Sequence, residues 1–582
     1  MLLKLLIVVT CSCILAEEVC QDSPGCASKK SSFLGRYSKA AVATHNVHCS
    51  EIGRNTLLKG GNAVDAAIAS MICIGVLDVL HSGLGGGHFM TIYNATSKKC
   101  VVINAREVAP AAANGTMFVG RPELSSRGWL AVAVPGELHG FWTAYKRFGG
   151  KVRWRELLQP TIDLLETGYP TSYILSQALY SDQEYIKNEP TLKQFINPKT
   201  GNVYKEGEQI VSRKPFLEAL KALANAEDPV KLFYNGTLTE QFVKEFKKHG
   251  GILQLSDFNS YFPRVHEGTD VIYSKLSKGR YACGPPPPSG SAVTLSIINT
   301  LDDFAARNVG KLNRTSFLHQ FLEASKFAYG SRAKLADPFF NLDAWTLAKE
   351  ITSEGYAVSL RSLISDVTHP DNYYGEEFEE VDQHGTSHAA VVDSDGNAVS
   401  ITSTINLLFG AGVASESTGI IWNSNMDDFS TPGTLNSFNL KPSKCNFIEP
   451  GKRPMSSMSP IIVFNIQDPM EILAIGGTGG SRIISGVSYV TLRSLHLNED
   501  LQEAIFAPRL HNQLHPNTTF HETGFLQEQL DDLKVRKHDL LQWSADTFHP
   551  RSSVSAVKRV SHGTVFAMTE YRCGTQCAPA GF

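Results

Sequence analysis

A glycine–threonine pair, Gly385-Thr386, stands where the chain changes from helix-like to strand-like patterning. A threonine hydroxyl is a weak nucleophile until a base removes its proton. If the bond before Thr386 were cut, the threonine would become N-terminal. Its own α-amine, with a pKa of about 7.7–8, would then serve as that base. Glycine at 385 leaves room for the strained turn such a cut requires. Taken alone, the dipeptide is far more often a turn signal. Its surroundings add weight. Thr402, Ser403 and Thr404 return on a second strand-like run, which brings Thr404 near Thr386. Its hydroxyl can orient the nucleophile, although a β-branched strand residue is the commoner reading. Gly479-Gly480, after another strand-like run, can present backbone N–H groups to an oxyanion. One such donor is worth ~3 kcal/mol, and the competing reading is a plain turn.

The elements that must position these residues show in the hydrophobic periodicity. The run 387–402 reads as two strands around Asp395-Gly396, a strong hairpin signal. Residues 461–465 and 471–476 form a second strand pair, and 487–507 read as helix. Upstream, 49–59 reads as a helix stopped by Gly60-Gly61, and 62–80 as an alanine-rich buried helix. The segments 160–167, 214–226, 237–248 and 316–334 carry apolar residues at helical spacing, and prolines 285–288 mark a rigid turn before another helix. The loop 81–88, His-Ser-Gly-Leu-Gly-Gly-Gly-His, superficially resembles a phosphate cradle. It fails the G-x-G-x-x-G pattern because His88 replaces the last glycine and the strand follows the loop. Close backbone approach explains it better. Helices on sheets in one large unit give an α+β architecture.

Six separated motifs together resemble the γ-glutamyltransferase (γ-glutamyl transpeptidase) family of N-terminal-nucleophile hydrolases, from about residue 40 to the end. They are Val-Ile-Asn-Ala-Arg106-Glu107, Gly-Thr386-Ser-His, Thr-Ser-Thr404-Ile-Asn406, Met-Asp-Asp428-Phe, Pro-Met-Ser456-Ser457-Met and Gly-Thr-Gly479-Gly480. The resemblance implies a four-layer αββα sandwich. It implies self-cleavage at Gly385–Thr386 into a large fragment, 17–385, and a small one, 386–582. Thr386 would then attack the γ-amide of glutathione or another γ-glutamyl compound and pass the acyl group to water or to an amino-acid or dipeptide acceptor. By the same resemblance Thr404 holds the Thr386 hydroxyl, and Gly479 and Gly480 form the oxyanion hole. Arg106 grips the substrate α-carboxylate, a task suited to its forked guanidinium, with Ser456 and Ser457 assisting. Asp428 binds the α-ammonium with Asn406 and Asn425. Asn425 is an amide where several family members carry an acid, so one charge is missing at the ammonium. The family's cysteine pair falls on Cys49 and Cys73. No metal or organic cofactor is implied.

The bulk properties agree with such a protein and exclude others. The 582 residues carry 54 basic and 57 acidic side chains, a formal charge of −3. That balance provides no electrostatic footprint for nucleic acid. Lys4 and the short apolar run 5–16 read as a secretory signal peptide ending near Ala16 or Cys13; an uncleaved anchor is the alternative. N-x-[ST] triplets at Asn94, Asn114, Asn235, Asn313 and Asn517 fit a secreted glycoprotein. Nine of the 11 cysteines lie beyond the leader, an odd number in an oxidising compartment. No histidine pair sits at zinc-finger spacing. Two other functions stand beside the leading one. A related amidase would take another acyl group, against which Arg106 and Asp428 argue, because such a group would leave both charges unpaired. A secreted non-catalytic binding protein would not cut itself.

Overall fold

The computed structural model describes residues 34–307, 314–375, 385–433, 442–497, 499–543, 552–573 and 577–582. The leader and Asn313 lie outside them. No described helix is long and apolar enough to cross a membrane.

Two seven-stranded sheets form the centre. Across the first, in order, lie Ala580–Gly581, Ala41–Thr44, Gly385–Val392, Ala398–Asn406, Gly87–Asn94, Lys99–Ala105 and Arg264–Glu267. Across the second lie Gly35–Tyr37, Val565–Met568, Ser553–Arg559, Ile472–Thr478, Ile461–Asn465, Arg280–Gly284 and Ile272–Lys275. Ala41, Ala43, Ala390, Val392 and Ala398 of the first sheet meet Ile462, Phe464, Ile472, Ala474 and Val557 of the second in a shared core. Small residues on the facing surface let the sheets approach closely. Val47–Leu58, Ala63–Leu77 and Glu137–Phe148 cover the outer face of the first sheet, with Trp154–Thr167 packed on Ala63–Leu77. Ser291–Arg307 and Arg482–His496 cover the second, with Arg314–Arg332 packed on Ser291–Arg307. The result is an α+β sandwich in αββα order. Both sheets draw strands from either side of Gly385–Thr386, so a chain cut there would keep its halves interleaved.

Local sequence explains the element ends. Asn62 caps Ala63–Leu77 through the N–H groups of Val64 and Asp65, with Asp65 returning the bond to the Asn62 N–H. The hairpin turns at Gly396, φ 84°. Two expectations change. The helix expected from 160 starts at Trp154, because its apolar face, Trp154, Leu157, Leu158, Thr161 and Ile162, runs straight through Pro160. The stretch 487–507 is two helices, Arg482–His496 and Leu501–Phe506, the second capped afresh by Asp500. A disulfide joins Cys49 to Cys73, and another, Cys100–Cys283, ties one sheet to the other across 183 residues. Asn94, Asn114 and Asn235 are exposed. Asn517 is half-buried, and its amide donates to Asp371 at 2.8 Å.

Candidate active site

The hairpin sets Thr386 directly opposite Thr404, with a bulge in the register between Gly385 and Thr386. Thr386 is 3% exposed. In this uncut chain the Thr404 hydroxyl donates to the carbonyl of Gly385 and accepts the Asn406 N–H at 2.8 Å. Thr404 thus bonds the carbonyl of the Gly385–Thr386 peptide rather than the Thr386 hydroxyl. A donor on a carbonyl oxygen draws charge from its carbon, which is where a hydroxyl would attack.

The second sheet reaches this point from the other side. Ile472–Thr478 starts near the hairpin turn, where a Cβ on Gly396 would stand 3.7 Å from Ile472. It crosses Ser400, whose hydroxyl donates to Ile475 at 2.9 Å. It then passes so close to His388 that a Cβ on Gly476 would lie 2.4 Å from the ring. The strand therefore runs toward the Thr386 end and delivers Gly479 and Gly480 there, at φ 113° and 62°. Arg482–His496 begins at once, with the Gly479 and Gly480 carbonyls accepting from Arg482 and Ile483. In a trans peptide the N–H points opposite to the C=O. The N–H groups of Gly480 and Ser481 therefore point out of the helix N-terminus, a natural seat for negative charge. Ser481 was not singled out in the sequence. Burial drives the His388 imidazole well below its ordinary pKa, with His45 adding to the effect. His388 is therefore neutral.

Arg106 follows the strand Lys99–Ala105 and is fully buried. Its guanidinium donates to Glu107 at 3.1 Å, to Asp428, and to the carbonyls of Pro454 and Met455 at 3.3 and 3.2 Å. Asp428 lies in the short helical turn Asn425–Asp428. Asn425 donates its amide to the Asp428 carboxylate at 2.8 Å, and the Asn406 amide donates to Ser424 at 2.9 Å. Burial pushes the Asp428 carboxyl up to about 6, against the pull of Arg106. Burial likewise pushes Glu107 up to about 7, opposed by Arg106 and aided by Asp428 and Glu137. Both side chains of the pair are nearly inaccessible. The expectation that an apolar acyl group would strand two unpaired charges is therefore corrected: Arg106 and Asp428 satisfy each other.

Ser456 and Ser457 sit on the segment that wraps Arg106. The Ser456 hydroxyl oxygen accepts the Met458 N–H, and that of Ser457 accepts Arg332, both at 3.2 Å. Behind the hairpin, the buried Glu137 carboxylate accepts from Ser403 at 2.8 Å and pairs with His88 at 2.7 Å. Glu137 and Asn423 escaped the sequence reading, since no motif spacing marks a contact between distant segments, and Glu107 stood in the Arg106 motif without a role of its own. Among the described residues one group, His319, Glu323 and His538, has metal-ligand composition. Its rings bond each other at 2.9 Å, and Glu323 accepts from Lys326 and Tyr374.

The arrangement combines a buried threonine, a polarised peptide carbonyl, outward N–H groups and a buried pair of opposite charges. The family model described as Gamma-glutamyltranspeptidase matches residues 49–580. Scoloptoxin SSD14 of Scolopendra dehaani is 41% identical over 549 residues, covering 93% of this chain and 92% of its own. Glutathione hydrolase proenzyme 2 of Schizosaccharomyces pombe is 35% identical over 549 residues, covering 93% of this chain and 87% of its own. Cephalosporin acylase from Bacillus halodurans superposes with a TM-score of 0.79 at 24% identity, covering 94% of this chain and 97% of its own; that likeness concerns the fold alone. With the family model matched from 49 to 580 and relatives alike over most of their length, the chain belongs to the γ-glutamyltranspeptidase family.

Proposed function

We propose that this protein is a secreted γ-glutamyl hydrolase and transferase that cuts itself before Thr386. The new α-amine of Thr386 takes the proton of its own hydroxyl. The hydroxyl oxygen bonds to the γ-carbonyl carbon of glutathione or a conjugate, the amine leaves with a proton, and a γ-glutamyl ester on Thr386 remains. Water then releases glutamate, or an amino acid or dipeptide takes the acyl group. Gly479, Gly480 and the helix N-terminus behind them stabilise the oxyanion. The large fragment, 17–385, and the small fragment, 386–582, stay together through the shared sheets.

One observation carries the substrate class: a buried Arg106–Asp428 pair in a chain of this family. An α-amino-acid head can insert into such a pair charge for charge. Its carboxylate takes Arg106 and its ammonium takes Asp428, so no net charge is added to the interior. A singly charged acyl group would add one, and an apolar group would find the pair closed. The test is N-terminal sequencing of the secreted protein's bands from a denaturing gel, with turnover of a γ-glutamyl anilide on the same sample. The expected result is a small fragment beginning Thr-Ser-His-Ala together with amine release. A single intact chain without turnover would instead leave a binding protein on an enzyme fold.

The charge on Asp428 gives a pH prediction. A carboxyl raised to about 6 is neutral below that pH, and a neutral acid does not hold an ammonium. Donor KM should therefore rise about tenfold per pH unit as pH falls below about 6. The limb in kcat should lie higher, where the Thr386 amine takes up its proton. A donor KM flat from pH 7 to pH 5 would remove Asp428 from ammonium recognition.

A further inference from the structure

Gly85, Gly86 and Gly87 of the glycine-rich loop each press against a different piece of the site. A Cβ would lie 1.9 Å from the Ile421 carbonyl oxygen at Gly85, 2.0 Å from that of Thr404 at Gly86, and 2.3 Å from that of Ala105 at Gly87. Contacts that close exclude any side chain. Thr404 bonds the Gly385 carbonyl, and Ala105 precedes Arg106. Ile421 leads into the turn Asn425–Asp428. The loop thus gives the nucleophile hairpin, the arginine and the ammonium-binding turn a shared backbone support.

Asn423 locks that support to the turn. It is fully buried. Its amide nitrogen donates to Gly85 at 2.7 Å and to Ala133 at 2.8 Å. Its amide oxygen accepts the N–H groups of Ala133 and Asn425, both at 3.0 Å. Two donors and two acceptor sites are all that an asparagine amide has, and all are used. The bond to Asn425 fixes the first residue of the turn whose last residue is Asp428. Asn423 makes none of its bonds to the hairpin that carries Thr386.

We propose that Asn423 is a positioning residue for donor recognition. Through Gly85 and Ala133 it sets where Asn425 and Asp428 stand relative to Arg106, and it leaves the cutting chemistry to the hairpin. This rests on the γ-glutamyl reading above. A displacement of about 1 Å at a site can cost on the order of 100-fold, so a loosened turn should show in donor binding. The experiment compares wild type with Asn423→Ala and Asn423→Ser, full-length and secreted. It measures the extent of self-cleavage and kcat and KM for a γ-glutamyl anilide. Either folded variant should mature fully, with donor KM raised about tenfold or more and kcat within about threefold of wild type. An unchanged KM overturns the proposal. So does a loss of cleavage and kcat along with KM, or failure of both variants to fold, because each describes a general structural role. If wild type itself is inactive on the anilide, the substrate reading falls first, and that result is separate from an active wild type with an unaffected variant.

Discussion

Thr386→Ala should leave one uncleaved chain whose γ-glutamyl turnover is lower by on the order of 10⁵-fold or more. The size of the effect follows from using one hydroxyl twice. In the uncut chain Thr386 adjoins a carbonyl already held by Thr404, at a bulge in an otherwise regular hairpin. Without the hydroxyl nothing on this residue attacks that carbonyl, so no free α-amine forms. Without the amine and the hydroxyl, the substrate meets neither base nor nucleophile. The fold should survive. The residue is buried, but the change removes only a hydroxyl and a methyl, a loss of about 1–2 kcal/mol, and the strand remains paired on both sides. A denaturing gel, a cooperative melt and an anilide assay on the same sample check all three statements. Two fragments from the alanine variant, the smaller beginning at residue 386, would sink the assignment of Thr386. Thr386→Ser provides the complement: it keeps the hydroxyl and should still cut and turn over.

Much of this geometry is legible in the sequence because it is local. The hairpin shows in its period of two and its Asp395-Gly396 turn, and that register alone pairs Thr386 with Thr404. The buried helix 63–77 shows in its capping box and alanine-rich run. What stayed hidden depends on how layers stack. Arg106 meets Asp428 across 322 positions and Ser403 meets Glu137 across 266. No periodicity reports which side chain another sheet or loop will bring up. The glycines of 83–87 reported a close approach without saying to what. Pro160 misled for a different reason: proline is a helix-start signal locally, but here six residues of amphipathic helix precede it and the buried face outweighs the missing N–H bond.

Hidden contacts of this kind change what mutation of Arg106 should do. From sequence alone, Arg106→Ala should mature normally and bind donor poorly. The structure adds a stability cost, because the lost guanidinium is the partner of two buried carboxyls, Glu107 and Asp428. Removing one member of a buried pair costs about 3–5 kcal/mol. Part of it is relieved when the stranded carboxyls take protons. Both already sit high, at about 7 and about 6, and Arg106 is what holds each of them down. Without it both rise further, so in the neutral range the folded variant binds more protons than its unfolded chain. Stability then falls as pH rises. Arg106→Ala should therefore melt well below wild type at pH 7 and recover part of the difference at pH 5. Arg106→Lys separates charge from shape. It keeps a cation beside both carboxyls, so it should mature and melt much closer to wild type. Lysine offers no planar fork to a carboxylate, so donor KM should still rise by about 100-fold, the worth of one charge-assisted hydrogen bond lost. A lysine variant with wild-type donor KM would show that Arg106 neutralises the site without reading the substrate. An alanine variant equally stable at both pH values would show that Glu107 and Asp428 do not depend on it.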